Sequence, residues 1–204
     1  MIAVPPARLD RLRVVVDVQH LYKLSNPLDR GAEFALQDRV RLYEAQASTV
    51  YAQAIVSWLM GRGAHVLTND PRIGQLTGPY ARRNREANRW DATVYLACHV
   101  NAGGGMYALT EYATSYAGST LARTIGAGLV NDLKEWIPAH TELPINPGQR
   151  GHVCVGAVSA GIPAVILEPF FGDRLAMQPL LRPTGLRLVG ESIAASVARW
   201  SLLP

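Results

Sequence analysis

Cysteine is nearly absent from this chain: Cys98 and Cys154 are the only two. Their separation fits no metal-ligand spacing, and two scattered thiols in a leaderless chain are expected reduced, which excludes a disulfide scaffold. Lysine is just as scarce. Of 20 basic residues only Lys23 and Lys134 are lysines, and the other 18 are arginines. The densest basic run, Arg82, Arg83, Arg85 and Arg89, lacks the interleaved aromatics of a nucleic-acid surface, so it reads as a solvated helix face and no nucleic-acid partner is expected. No apolar run approaches the roughly 18 residues needed to cross a bilayer. The N-terminal MIAVPPARLDRLR has neither the apolar centre nor the small-residue cleavage site of a signal peptide, so synthesis in the cytoplasm without membrane insertion is expected. No Ser-, Gly- or Pro-rich linker, internal repeat or low-complexity tract divides the chain.

What remains is a sequence of 204 residues, 49% hydrophobic, with a net charge of +4. That is enough to bury one substantial core, and we read residues 1–204 as one domain with its core over about 13–200. Near-continuous apolar runs at Arg13–Val18, Ala64–Thr68, Thr93–Cys98 and Ala164–Leu167 read as strands covered on both faces. Between them lie segments of helical period. Glu44 opens one in which Tyr51, Ile55, Trp58 and Leu59 share a face before Gly61 and Gly63 stop it. Ser119 is positioned to cap a second, running to Pro138, and a third is expected over about Thr184–Trp200. The predicted fold class is α/β: a three-layer domain with a mostly parallel twisted sheet of about six strands and helices on both faces. Pro138 to Gly151 has no clear period and is expected to form a surface loop.

Three of the apolar strands end in groups that can bind metal or move a proton: Val14–Val18 leads to His20, Thr93–Cys98 to His99, and Ala164–Leu167 to Glu168. In a parallel sheet these ends share one edge, outside which open α/β folds place their ligands. Glu44, at the start of its helix, belongs to the same edge. Two imidazoles and a carboxylate can hold a zinc ion with an open position, and a further carboxylate can then act as the acid/base. His20, Glu44, His99 and Glu168 supply that number of groups. Glu168, flanked by Ala-Val-Ile-Leu and Pro-Phe-Phe, sits in surroundings that disfavour its ionised form.

In these residues the chain resembles the zinc-dependent N-acetylmuramoyl-L-alanine amidases of bacterial cell-wall hydrolases and phage endolysins. The resemblance is carried by VVVDVQH at Val14–His20, Glu44 with GRGAHVLTND behind its helix, Arg83 with Ala87-Asn88, WDATVYLACHVNA, and IPAVILEPFF. These stand in the family's order from residue 14 to about 181. Asp17-Val18-Gln19-His20 replaces the family's Asp-Pro-Gly-His, and Leu21-Tyr22 replace the glycines that follow.

The resemblance implies one Zn2+ per chain, bound by His20, Glu44 and His99, with Glu168 as the catalytic carboxylate. Glu44 is preferred over Glu33 because it opens the long helix at the family's interval from GRGAHVLT. Asn101, His152 and Arg83 are candidates for contact with substrate or oxyanion. Asn101 reads equally as a turn residue, and His152 as the start of a strand. The implied activity is hydrolysis of the amide joining the lactyl group of N-acetylmuramic acid to the L-alanine of the stem peptide. The implied partner is peptidoglycan, met by a monomer without a separate wall-binding module after release from the cytoplasm, or as the mature part of a secreted enzyme. A zinc carboxypeptidase-like peptidase and a non-catalytic wall-binding domain of the same fold are the alternatives.

Overall fold

The computed structural model describes residues 9–21, 30–70, 72–74, 76–149, 151–158 and 161–203. Tyr22 and Lys23, and the MIAVPPAR stretch read for a signal, lie outside the described residues.

The expected strands form and pair. β1 (Arg13–Val18), β4 (His65–Thr68), β5 (Val94–Cys98) and β8 (Ala164–Glu168) run parallel, with β1 between β4 and β5, and β8 beyond β5. Two further strands complete the sheet. β6 (Ala108–Ala113) pairs antiparallel with β8, and β7 (His140–Ile145) pairs parallel with β6 on the outside. The sheet order is β4-β1-β5-β8-β6-β7. A small antiparallel hairpin, β2 (Glu33–Ala35) and β3 (Arg41–Tyr43), stands apart from it.

Val14, Val16 and Val18 alternate with Val15 and Asp17 on β1, and all five are buried, because a central parallel strand is covered on both faces. On one face lie α1 (Glu44–Met60), α3 (Tyr116–Asp132) and α5 (Pro183–Trp200), packed through Tyr51, Ile55, Leu121, Ile125, Val189 and Ile193. On the other lie α2 (Tyr80–Arg89) and the single turn α4 (His152–Val155), over Val15, Tyr95, Ala97 and Ile166. α1 and α5 approach so closely that a Cβ on Gly190 would sit 2.2 Å from the Tyr51 carbonyl oxygen.

Three local readings are corrected. α3 begins a turn before Ser119: Ser115 is the N-cap, its Oγ accepting from the Gly118 amide at 3.0 Å, and the helix ends at Asp132 rather than at Pro138. The stretch Pro138–Gly151 is not one loop, since β7 lies inside it. β7 is an outer strand paired on one side only, so it carries polar residues and Pro144 and shows no hydrophobic run to betray it. His152 opens the short helix α4 rather than a strand.

Candidate metal centre and active site

The first histidine reaches the carboxyl edge through an unusual turn. β1 stays paired with β5 through Val18, but its pairing with β4 ends at Val16, and at Val18 the Asn69 side chain takes over as a substitute strand: its Oδ1 accepts from the Val18 amide (2.8 Å) and its Nδ2 donates to the Val18 carbonyl (2.7 Å). Two residues later His20 adopts a left-handed backbone, φ 60°. Such a conformation is uncommon for a residue with a Cβ and is concentrated at functional sites.

Glu44 is placed by the start of α1 and gripped by the chain before β2. Its Oε2 accepts from the Ala32 amide at 2.9 Å, and its own amide donates to the Ala32 carbonyl at 2.8 Å. Gly31, at φ 74°, passes so near that a Cβ there would fall 2.3 Å from the same Oε2. The other oxygen, Oε1, points into the site, 2.7 Å from His99 Nδ1 and 3.5 Å from His20 Nε2. Glu33, the competing carboxylate, pairs instead with Arg41 across the exposed hairpin.

His99 leaves the end of β5 with its amide bonded to the Leu167 carbonyl (2.9 Å) and its carbonyl accepting from the buried Tyr51 hydroxyl (2.8 Å). Its ring meets that of His20 edge-on, centroids 5.2 Å apart. Its Nε2 lies 3.8 Å from Cys154 Sγ on α4. Among the described residues, His20, Glu44 and His99 form the one group of His, Cys, Asp or Glu side chains suited to sharing an ion, with ligand atoms within 4.8 Å of one another. Two imidazoles and a largely buried carboxylate converging on one point suit zinc in donor type and number.

The electrostatics of the trio favour a bound cation. Burial alone would drive His99 toward the neutral form, but hydrogen bonds to Cys154 and Glu44 and the charges of Glu168 and Glu44 outweigh it and push its pKa up to about 10. Burial would likewise raise the Glu44 carboxyl, yet His99, His20 and the Ala32 amide hold it below its usual value. The carboxylates therefore create a pocket of negative potential at this edge.

Glu168 ends β8, across the ladder from β5, and its charge reaches both His99 and the Tyr51 hydroxyl. The four residues singled out in the sequence thus stand on one edge of the sheet. Asn101 follows in a parallel bridge to Phe171, its Oδ1 accepting from the Ala102 amide. The glycines beyond it have local reasons: Gly103 and Gly104 have positive φ and donate to the Asp173 carboxylate, while a Cβ on Gly105 would strike the Phe171 ring.

Arg83 is not at the surface. It is buried, with Nε 2.7 Å from Asp17 Oδ1 and Nη1 donating to the Gly78 carbonyl. Arg82, Arg85 and Arg89 form the solvated face expected of this helix. Sequence reasoning missed Cys154, Tyr51 and Asn69. Asn69 was legible in principle, as a short amide directly after a strand. A groove of about 580 Å³ lined by Leu9, Thr93, Tyr116, Thr120 and Trp200 opens at the opposite edge of the sheet, where β1 and β5 begin.

The sheet and its edge define an α/β fold carrying a two-histidine, one-carboxylate centre with a further glutamate beside it. In fold the chain is similar to N-acetylmuramoyl-L-alanine amidases. It matches AmiC2 of Nostoc punctiforme at 17% identity over 95% of this chain and 98% of that one, with a TM-score of 0.72. Ami1 from Mycobacterium smegmatis matches at 16% identity over 95% and 98%, TM-score 0.69. The catalytic domain of CwlV from Bacillus (Paenibacillus) polymyxa var. colistinus matches at 18% identity over 93% and 98%, TM-score 0.66. No protein-family model and no curated protein matches the sequence.

Proposed function

We propose that this protein is a zinc-dependent N-acetylmuramoyl-L-alanine amidase, hydrolysing the amide between the lactyl group of N-acetylmuramic acid and the L-alanine of the stem peptide. The observation that carries this reading is the meeting of His20, Glu44 and His99, beside Glu168, on the carboxyl edge of an amidase-like sheet. His20, Glu44 and His99 would hold the zinc, which when bound supplies Lewis acidity to a water and to the scissile carbonyl. Glu168 accepts the proton of the attacking water and delivers it to the nitrogen of the departing alanine, so one carboxyl serves as base and then as acid. Tyr51 and Asn69 hold the two histidine-bearing turns still, which preserves the geometry the reaction needs. His152 and Asn101 are proposed at most to contact the glycan or peptide.

The test is to measure the metal content of the purified protein and the release of stem peptides with new N-terminal alanine from intact peptidoglycan, for the wild type and for Glu168→Ala. Stoichiometric zinc, peptide release by the wild type, and a loss of at least about a hundredfold in the variant are expected. Absence of zinc, or wall lysis by Glu168→Ala at the wild-type rate, would overturn the mechanism. Cleavage of free stem peptides with the lactyl amide left intact would instead identify a peptidase, and zinc without lysis a wall-binding domain.

A further inference from the structure

Beneath the site lies a polar network that the proposed chemistry does not use, buried between the sheet and α2. Asp17, Gln19, Arg83, Asn84 and Tyr95 are all essentially inaccessible to solvent. Asp17 faces Arg83 and accepts from the Tyr95 hydroxyl and, at 2.8 Å, from Gln19 Nε2. Asn84 Nδ2 donates both to the Tyr95 oxygen (3.0 Å) and to the Cys154 carbonyl (3.0 Å), while its Oδ1 accepts from the Ala157 amide (3.3 Å). A neighbour on α2, Asn88, donates to the Ala157 carbonyl at 2.9 Å.

Asn84 therefore spends both ends of its amide on the short segment that carries Cys154. Among the described residues α4 is a single turn whose core contribution is Cys154 and Val155, so the Asn84 amide is a substantial part of what fixes it. Yet Cys154 Sγ is the group on the outer nitrogen of His99, the inner nitrogen facing Glu44. A metal-binding histidine whose second nitrogen is held by a partner keeps one tautomer and one ring orientation. A fully buried amide with all its partners in place is a rigid way to set such a partner.

We infer that Asn84 is a positioning residue of the metal centre: by clamping the α4 segment from below, it sets Cys154 against His99 Nε2 and so holds the imidazole with Nδ1 turned inward to Glu44 and the ion. The inference rests on the amidase reading only for the identity of the ion. Tyr95 links the clamp to Asp17, two residues before Gln19 at the foot of the His20 turn, so one network braces both histidine-bearing strands.

The experiment compares the wild type with Asn84→Ala, Cys154→Ala and, as a control for plain loss of stability, Ser192→Ala, which removes a hydrogen bond to Asp132 between α5 and α3. Two quantities are read: the zinc dissociation constant by competition with a chromogenic chelator, and the imidazole 15N shifts of His99 in the zinc-bound protein, which report tautomer and partner. We expect zinc binding roughly tenfold or more weaker in Asn84→Ala and in Cys154→Ala. Their His99 nitrogen shifts move away from the wild-type values, while Ser192→Ala changes neither. Zinc affinity and His99 shifts at wild-type values in folded Asn84→Ala would overturn the inference. Should that variant fail to fold, unchanged values in Cys154→Ala would overturn it. Neither readout involves lysis, so zinc binding without peptide release would sink the amidase reading and leave the positioning role of Asn84 standing.

Discussion

Replacing Arg83 by methionine keeps most of the side chain's stem and deletes its charge, which isolates the buried ion pair. Asp17 is wholly inaccessible, and in the variant its carboxylate retains, among the described residues, the Tyr95 hydroxyl and the Gln19 amide as donors. Removing one partner of such a pair costs about 3–5 kcal/mol, because the other charge stays buried without compensation. At about 2–4 °C per kcal/mol for a chain of this size, the melting temperature should fall by roughly 6–20 °C. Asp17→Asn in the same background removes the stranded charge and should recover about 1–3 kcal/mol, within the coupling measured for contacting groups. Urea unfolding of the two single variants and the double variant, followed by circular dichroism, measures the cycle. An Arg83→Met protein within about 1 kcal/mol of the wild type, or a double variant showing no coupling, would refute the ion-pair reasoning. Burial lowers the proton affinity of the guanidinium, but the charge of Asp17 raises it further, so Arg83 stays charged at any ordinary pH.

Gly190→Ala should separate α1 from α5, since the new methyl would meet the Tyr51 backbone; a loss of about 1–3 kcal/mol or more in urea unfolding is expected, and a neutral result would contradict the close approach. His140, packed against Gly126 with its Nε2 bonded to Thr110, has its pKa lowered chiefly by burial. The unfolded chain therefore binds this proton more readily than the folded one, and the contribution of His140 to stability is present above about pH 6.5 and lost as pH falls below it. Its carbon-bound imidazole protons should titrate below about 6.5 by NMR, and a midpoint above that value would contradict the assignment. Zinc uptake at about pH 7 must expel the proton that His99 holds up to about 10, so calorimetry in buffers of differing ionisation enthalpy should show release of about one proton per ion. Binding enthalpies independent of buffer would argue against His99 as a ligand.

Much of this site was legible because its residues follow strands. His20, His99 and Glu168 each stand at or within two residues of the end of a buried apolar run, and parallel strands deliver their ends to one edge whatever fills the space between them. Glu44 was legible because it opens a long amphipathic segment. Less legible were elements whose residues face solvent or pair on one side only. β7 and the β2–β3 hairpin carry no apolar run because an edge or exposed strand need not bury one. The roles of Arg83 and Asn84 were hidden for a different reason. On α2 they sit among exposed arginines in a stretch that is polar all round, and only the tertiary partners Asp17, Tyr95 and Cys154 reveal that this face is buried.

That contrast bears on how the centre is held together. The two histidines and Glu168 are displayed by hydrophobic strands, whose pattern a single sequence reveals. What fixes their rotation is polar and long-range: Asn69 to Val18, Tyr51 to the His99 carbonyl, and Asn84 to Cys154, each joining residues about fifty to seventy positions apart. No local signal encodes such pairs, because each partner alone looks like an ordinary helix or loop residue. A substitution at Asn69 or Asn84 would therefore leave every recognisable motif in place while loosening the proposed metal centre. The proposed activity accordingly rests on those three contacts as much as on the four residues that meet at the edge.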